Sequence, residues 1–109
     1  MTNISFEDFS KIELRVGTVL EAEEVVDSEK LIKMKVDLGE EEPRQILAGI
    51  KAWYTPSKLV EKQFIFVANL EPKTMMGLES QGMILAADQN GKAILLKPSS
   101  KVPPGTKVR

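Results

Sequence analysis

Two residue types that carry much of protein chemistry are missing from this sequence. The 109-residue chain contains no cysteine and no histidine. Without cysteine there is no disulfide and no thiolate metal site, and a reducing cytoplasm is the expected setting. Without histidine the chain lacks the commonest general base and the commonest metal ligand, so catalysis would have to depend on carboxylates, lysine, serine or tyrosine.

Long apolar runs are missing as well. No stretch approaches the roughly 20 apolar residues that a membrane helix needs. Residues 1–7 show no basic region followed by an apolar core, so we expect no signal peptide. A glycine-rich phosphate loop and paired carboxylates are also absent. We therefore expect a cytoplasmic chain that is not an enzyme, lies in no membrane and uses no metal or other cofactor.

Charge is unevenly distributed along the chain. The net charge is only −1, but residues 21–42 carry nine acids and three lysines, whereas residues 43–109 carry ten lysines and arginines and four acids. A basic surface can therefore exist on a nearly neutral protein, and nucleic acid is a candidate partner. A solvated surface of mixed charge is the alternative, and charge alone does not choose between the two.

A short helix is predicted near the N-terminus. Ser5 is a good N-cap, and Asp8 three residues later completes a weak capping-box pattern. Phe6, Phe9 and Ile12 follow at three-residue spacing and fall on one side. A helix this short is not stable alone, so its apolar side must pack on another surface.

The apolar pattern then predicts a series of strands. Alternation in residues 13–21 places Leu14, Val16, Thr18 and Leu20 on one face, with Gly17 marking a bend. The order is strands at 13–21, 31–38 and 44–50, a short helix from Thr55-Pro56, strands at 63–70 and 83–87, an Asn90-Gly91 turn and a return strand at 93–97.

This element order is that of an OB-fold. We predict an all-β chain, a five-stranded barrel with a short helix between strands three and four, plus an N-terminal helix and C-terminal strand additions. The length suggests one domain spanning residues 1–109. Such barrels bind oligonucleotides or oligosaccharides, and the fold alone establishes neither.

A set of short motifs carries a family resemblance. They are Leu14-Arg15-Val16-Gly17-Thr18-Val19, Lys30-Leu31, Val36-Asp37-Leu38-Gly39, Pro43-Arg44-Gln45-Ile46, Ala48-Gly49-Ile50, Val67-Ala68-Asn69-Leu70 and Ser80-Gln81-Gly82-Met83-Ile84-Leu85-Ala86-Ala87. From about Phe6 to Val108 the chain resembles the structure-specific tRNA-binding domain at the C-terminus of methionyl-tRNA synthetases. The same domain occurs as a stand-alone dimeric tRNA-binding protein and in the endothelial monocyte-activating polypeptide family.

The resemblance implies a function and partners. It implies an OB barrel that recognises the corner of L-shaped tRNA by shape, without catalysis, as a module for or from methionyl-tRNA synthetase. It also implies a homodimer, joined through the helix that carries Phe6, Phe9 and Ile12 and through the C-terminal strands. A methionyl-tRNA synthetase catalytic chain is a further candidate partner. Whether the chain stands alone or ends a synthetase stays open.

The resemblance also implies a tRNA-binding side. The residues at its motif positions are Lys30, Arg44, Asn69, Lys73, Ser80 and Met83. Met75 and Glu79 join them from the connecting segment, where methionine offers bases a flexible apolar surface and a carboxylate can accept from a ribose 2′-OH. Two alternatives stay open: Asn69 as a turn residue, and the methionines of a 74–78 loop packed beneath the barrel.

A chaperone or protein-interaction module of the CsaA type is the competing interpretation. Proteins of that type typically show Ile-Asp-Phe-Gly where this chain has Val36-Asp37-Leu38-Gly39, a difference that favours the tRNA-binding branch. The chain has only six aromatic residues, so stacking of single-stranded bases is not the expected main mode. Rigid recognition of folded RNA fits better.

Overall fold

The computed structural model describes residues 1–109, which form ten short strands and two helical turns. The helix α1 spans Phe6–Phe9 and a 3-10 helix spans Pro56–Lys58. The strands are β1 (Leu14–Glu24), β2 (Ile32–Asp37), β3 (Arg44–Ala48), β4 (Gln63–Val67), β5 (Lys73–Met75), β6 (Leu78–Ser80), β7 (Met83–Ile84), β8 (Ala86–Gln89), β9 (Lys92–Leu95) and β10 (Lys107–Val108).

Five antiparallel strands form a nearly closed barrel in the order β3-β2-β1-β4-β7. The central strand β1 has 11 residues, and this length lets it pair with β4 through its first half and with β2 through its second. At the seam next to β3, the Gln81 N–H donates to the Gln45 carbonyl at 2.8 Å. The predicted OB-like barrel is confirmed, with the 3-10 helix at the position of the predicted helix.

The barrel interior is filled by alternate residues of its strands. On β2, Ile32, Met34 and Val36 are completely buried, as their alternation predicts, and Phe66 of β4 is buried against them. Burial of one such side chain contributes roughly 1.5–3 kcal/mol. This cluster is the main core of the protein.

The inward face of β1 differs from the prediction. Gly17 and Val19 face the core, whereas Leu20 is 45% exposed. Because Gly17 and Val19 alternate on the inward face, Leu20 lies on the outer face. The pairing register between β1 and β2 then shifts between Val19 and Glu21, and this bulge brings Ala22 to the core side. A Cβ at Gly17 would lie 2.6 Å from Val36 Cγ1. Gly17 therefore permits close packing, and the irregularity of β1 lies between Val19 and Glu21.

Two β-hairpins project from the barrel strands. Their two-residue turns have positive φ at both positions, 52° and 77° at Met76 and Gly77, and 52° and 88° at Asn90 and Gly91, which is the type I′ pattern. The Asn90-Gly91 hairpin between β8 and β9 is confirmed. The prediction of a loop at residues 74–78 is wrong, because β5 and β6 pair there. Methionine gives no signal for such a turn, since φ above zero is uncommon for it.

The N-terminal helix forms where it is predicted, but its apolar side is open. The Ser5 hydroxyl accepts from the Asp8 N–H at 3.0 Å, which confirms the cap. Phe6 is 81% exposed and Ile12 46% exposed, so this side does not pack on the barrel. No helix of the structure has both the length and the apolar character required to cross a membrane.

Candidate nucleic-acid interface

A small hydrophobic cluster lies on the outside of the barrel. Val25, Leu31 and Leu47 are buried there, and Met75 and Leu78 of the β5–β6 hairpin pack against them. We call these five residues the outer cluster. Because Val25 and Leu31 bracket the β1–β2 loop, the cluster fixes that loop and the hairpin to the same face of β3. In OB barrels this face and these two connections are where oligonucleotides bind.

An open groove of about 430 Å³ lies beside the hairpin, and we call it the hairpin groove. It brings together four of the predicted site residues: Lys73, Met75, Ser80 and Met83. Leu47, Leu70, Glu71 and Gly82 complete its lining. Lys73 is exposed and forms no ion pair, and Met83 is 45% exposed. The groove therefore presents an ammonium group and the Glu71 carboxylate beside an apolar surface.

Lys30 lies in the β1–β2 loop, directly before Leu31 of the outer cluster. Its backbone is fixed, because its N–H donates to the Ser28 hydroxyl at 3.2 Å and its carbonyl accepts from the Lys51 N–H at 3.0 Å. Its side chain is exposed and forms no ion pair. A rigid backbone with an uncompensated ammonium suits a phosphate contact that sets the orientation of bound RNA.

Arg44 makes its contacts inside the protein. Its Nε and Nη2 each donate to the Glu40 carboxylate at 2.8 Å, and its Nη1 donates to the carbonyls of Ala68 and Gln81. The hydrogen bond from Arg44 lowers the pKa of Glu40, and the same bond raises the pKa of Arg44. Arg44 therefore ties β3 to the end of β4 and to the segment before β7.

Asn69 joins the N-terminal segment to the end of β4. Its Oδ1 accepts from the Glu13 N–H at 2.8 Å, and its Nδ2 donates to the Lys11 carbonyl at 2.6 Å. The chain bends at Asn69 and Leu70, in agreement with the turn interpretation, and these bonds tie the bend to the N-terminal segment. They do not test a contact with tRNA, which stays a prediction for both Asn69 and Arg44.

Ser80 is 3% exposed and lies at the seam of the barrel. Its Oγ accepts from the Leu47 N–H at 3.0 Å and donates to the Gly82 carbonyl at 3.0 Å. The hydroxyl of Ser80, which the resemblance places on the tRNA-binding side, is thus bonded within the protein. Ser80 lines the hairpin groove, and its two hydrogen bonds fix the backbone of Leu47 and Gly82 there.

The remaining predicted residues, Met75 and Glu79, lie on opposite faces of the β5–β6 hairpin. Met75 is half-buried against the outer cluster, as the packing alternative supposed, while its neighbour Met76 at the turn is 59% exposed. Glu79 is exposed and pairs across the hairpin with Thr74, so its side chain lies on the face opposite Met75. Glu79 is therefore outside the hairpin groove.

Four residues of the groove are not among the predicted site residues: Leu47, Leu70, Glu71 and Gly82. Leu70 ends a continuous apolar run and was assigned to a buried strand, yet β4 ends at Val67 and Leu70 is 47% exposed. The Asn69 amide, bonded to residues 11–13, turns the chain at this point. The polar Asn69 within this run is the signal in the sequence for a turn before Leu70.

Comparison with known proteins gives a family for this arrangement. The model of the family described as "Putative tRNA binding domain" matches residues 14–107. The chain is 53% identical over 105 residues to the methionine–tRNA ligase of Archaeoglobus fulgidus and 54% identical over 106 residues to that of Methanothrix thermoacetophila. These matches cover 96% and 97% of this chain but 16% of each relative, so the chain spans about a sixth of their length.

Solved structures share the whole barrel. The MetRS related protein from Pyrococcus horikoshii is 41% identical with a TM-score of 0.93, and the match covers 100% of both chains. The chaperone CsaA from Bacillus anthracis is 35% identical with a TM-score of 0.89, covering 99% of this chain and 100% of its own. Because both competing types share the fold, the barrel alone does not distinguish them.

Proposed function

This chain belongs to the tRNA-binding domain family, and from that premise we propose that it binds folded tRNA by shape at the hairpin groove and the β1–β2 loop, without catalysing a reaction. The observation that carries the proposal is that two exposed lysines without an ion pair, Lys30 and Lys73, flank the outer cluster, and that Glu71 is the one acid lining the hairpin groove. The lining of the hairpin groove adds the exposed apolar side chains of Leu70 and Met83.

The proposed contact with tRNA has an electrostatic part and an apolar part. Lys30 and Lys73 would neutralise phosphates, and each contact releases counterions from the RNA. Leu70, Met76 and Met83 would rest against bases that the tRNA corner exposes. Since the hairpin is fixed by the outer cluster, the two lysines are presented at a set separation, and this selects a folded RNA over a flexible strand.

Three of the other predicted residues have a structural role in this proposal. We propose that Arg44, Asn69 and Ser80 act on tRNA binding through the backbone that they fix. Their hydrogen bonds to Ala68, Gln81, Glu13 and Leu47 support this assignment. Glu79, on the opposite face of the hairpin, is proposed only as an outer contact to a 2′-OH.

We also propose that the chain serves a methionyl-tRNA synthetase in the cytoplasm, either as its C-terminal region or as a separate tRNA-binding chain. The identity with methionine–tRNA ligases over 16% of their length supports a link to such an enzyme. The ligase activity itself is not proposed for residues 1–109, since the matched family is one of binding domains.

We also propose that the chain forms a homodimer. Phe6 and Phe9 of α1 and Ile12 of the turn that follows it are 81%, 38% and 46% exposed. The bonds from Asn69 hold this segment on the barrel, so the apolar side is presented in a fixed position. A second copy placing the same residues against it would bury both apolar sides in one symmetric interface.

The direct test is competition for the protein between folded tRNA and other ligands. Fluorescence anisotropy of a labelled tRNA would be followed while unlabelled tRNA, an unstructured RNA of equal length, or an unfolded polypeptide is added. We expect unlabelled tRNA to displace the label at lower concentration than either competitor. Displacement by the polypeptide at equal or lower concentration would favour the CsaA-like chaperone function instead.

A further inference from the structure

A basic groove lies at the opposite end of β4 from the hairpin groove. It has a volume of about 440 Å³ and lies between the start of β4 and the segment that follows β9. Three lysines line it, Lys62, Lys97 and Lys101, and we call it the lysine groove. Glu61, Gln63, Pro98, Ser99 and Ser100 complete its lining.

The backbone that carries these lysines is fixed at several points. The Lys62 carbonyl accepts from the Val19 N–H at 3.0 Å. The Gln63 side chain exchanges two hydrogen bonds with the Val102 backbone, at 2.6 and 3.1 Å. At the other end of the segment, the Leu96 backbone bonds to Ile65 and Leu85 at 3.1 and 3.2 Å. Residues 97–101 are therefore held at both ends, and the groove exists before any ligand arrives.

The charge of the lysine groove is not compensated within the protein. Lys62, Lys97 and Lys101 are exposed and form no ion pair, and Glu61 is the one acid of the lining. In contrast, Lys33, Arg44 and Lys51 each face a carboxylate within 4 Å. The ligand that such a site favours is an anion.

The lining also distinguishes a nucleic acid from a protein partner. Pro98 is the one apolar residue of the lining, and no Val, Leu, Ile, Met or aromatic side chain contributes to it, whereas a protein interface needs an apolar centre. Ammonium groups with neighbouring hydroxyls, here Ser99 and Ser100, are the donors that proteins use on phosphodiester backbones.

We propose that the lysine groove binds a second segment of the sugar–phosphate backbone of the tRNA that occupies the hairpin groove. This inference rests on the proposed function. The two grooves lie beyond opposite ends of the five-residue strand β4, which at about 3.3 Å per residue spans roughly 16 Å. They therefore contact different segments of the RNA, and the pair of contacts fixes the orientation of the tRNA on the barrel.

The test uses the double variant Lys97→Ala/Lys101→Ala with Lys92→Ala/Lys107→Ala as its control. Each removes two exposed lysines whose side chains make no hydrogen bond or ion pair in the protein, so neither should unfold the barrel. The salt dependence of tRNA affinity and a hydroxyl-radical footprint on the tRNA would be measured for both and for the wild type.

We expect the slope of log affinity against log salt to fall in magnitude by roughly 1.4 to 1.8 in the first variant, since each lost phosphate contact removes about 0.7 to 0.9. One protected segment of the footprint should disappear while the rest stays. The control should keep the wild-type slope and the wild-type footprint.

The other outcomes separate this inference from the proposed function. An unchanged slope and footprint in Lys97→Ala/Lys101→Ala, with tRNA still bound, would overturn the inference alone. If that variant kept tRNA but lost binding of polyglutamate, the groove would belong to an acidic protein. Absence of tRNA binding by the wild-type chain would overturn both proposals.

Discussion

The Ser80 hydroxyl accepts a hydrogen bond from the Leu47 N–H at 3.0 Å and joins the hairpin β5–β6 to the outer face of β3. The serine is 3% exposed, and it also donates to the Gly82 carbonyl at 3.0 Å. One buried hydroxyl therefore supplies the partner of a strand N–H where the barrel closes. The position of the hairpin groove depends on this bond.

Replacing Ser80 by alanine should destabilise the protein. The Leu47 N–H would stay buried without an acceptor, which costs about 1–3 kcal/mol. Urea denaturation would measure the free energy of unfolding, with Ser99→Ala as the control because Ser99 is exposed and its hydroxyl has no partner in the protein. Equal stability of the two variants would show that the seam does not need the hydroxyl.

Glycine 17 should tolerate no side chain. An alanine Cβ would lie 2.6 Å from Val36 Cγ1 and 2.8 Å from Leu38 Cδ2 and Phe66 Cδ1, all in completely buried side chains. Gly17→Ala should therefore lower the free energy of unfolding by about 1–3 kcal/mol. Gly49→Ala is the matched control, since nothing lies within 4 Å of a Cβ there. A Gly17→Ala protein as stable as Gly49→Ala would contradict the packing described for β1.

The barrel could be predicted because its interior residues alternate and its turns carry ordinary signals. Ile32, Met34 and Val36 show the alternation: they are spaced by two in the sequence, and all three are buried. The bulge at Leu20 could not be predicted, since it arises from the pairing of β1 with β2 and leaves no mark on the alternation. The hairpin at Met76-Gly77 could not be predicted either, because the backbone of Met76 has a positive φ, which is uncommon for a residue other than glycine.

The Glu40–Arg44 pair should make stability depend on acid pH. The hydrogen bond from Arg44 lowers the pKa of Glu40 below its ordinary 4.5 in the folded state. The pair therefore stabilises the fold fully above that ordinary value, and the contribution disappears as pH falls through the lowered pKa. Because the Glu40 side chain is 36% exposed, the contribution is at most about 1 kcal/mol.

Glu40→Gln should remove this contribution. The urea midpoint of the variant should lie below that of the wild type at pH 7, and the two should converge as the solution is acidified. Glu41→Gln is the control, because Glu41 forms no ion pair. A constant gap between Glu40→Gln and wild type down to the lowest pH would argue against the pair as its source.

The apolar side of α1 should govern self-association. Phe6→Ser removes a phenyl group that is 81% exposed, and sedimentation equilibrium should show a wild-type dimer and a variant shifted toward monomer. Val26→Ser is a suitable control, since Val26 is 83% exposed in the β1–β2 loop and lies outside the proposed interface. A wild-type chain that sediments as a monomer at micromolar concentration would contradict the homodimer.

The candidate site was only partly predictable from the sequence. Motif positions identified Lys73 and Met83, which the structure places in one groove. They could not show that the side chains of Arg44 and Asn69 are bonded to the protein's own backbone, because those bonds join residues far apart in the chain. The basic character of residues 43–109 likewise did not show which lysine and arginine side chains form no ion pair.

The most direct measurement of the central claim is the salt dependence of tRNA affinity for Lys30→Ala/Lys73→Ala beside Lys92→Ala/Lys107→Ala. Both variants lose two positive charges, but the first loses those on the face of the outer cluster. We expect the first to bind tRNA more weakly, with a salt slope smaller in magnitude by roughly 1.4 to 1.8, and the second to match the wild type. Identical affinities and slopes for the two variants would contradict the claim that this face of the barrel binds tRNA.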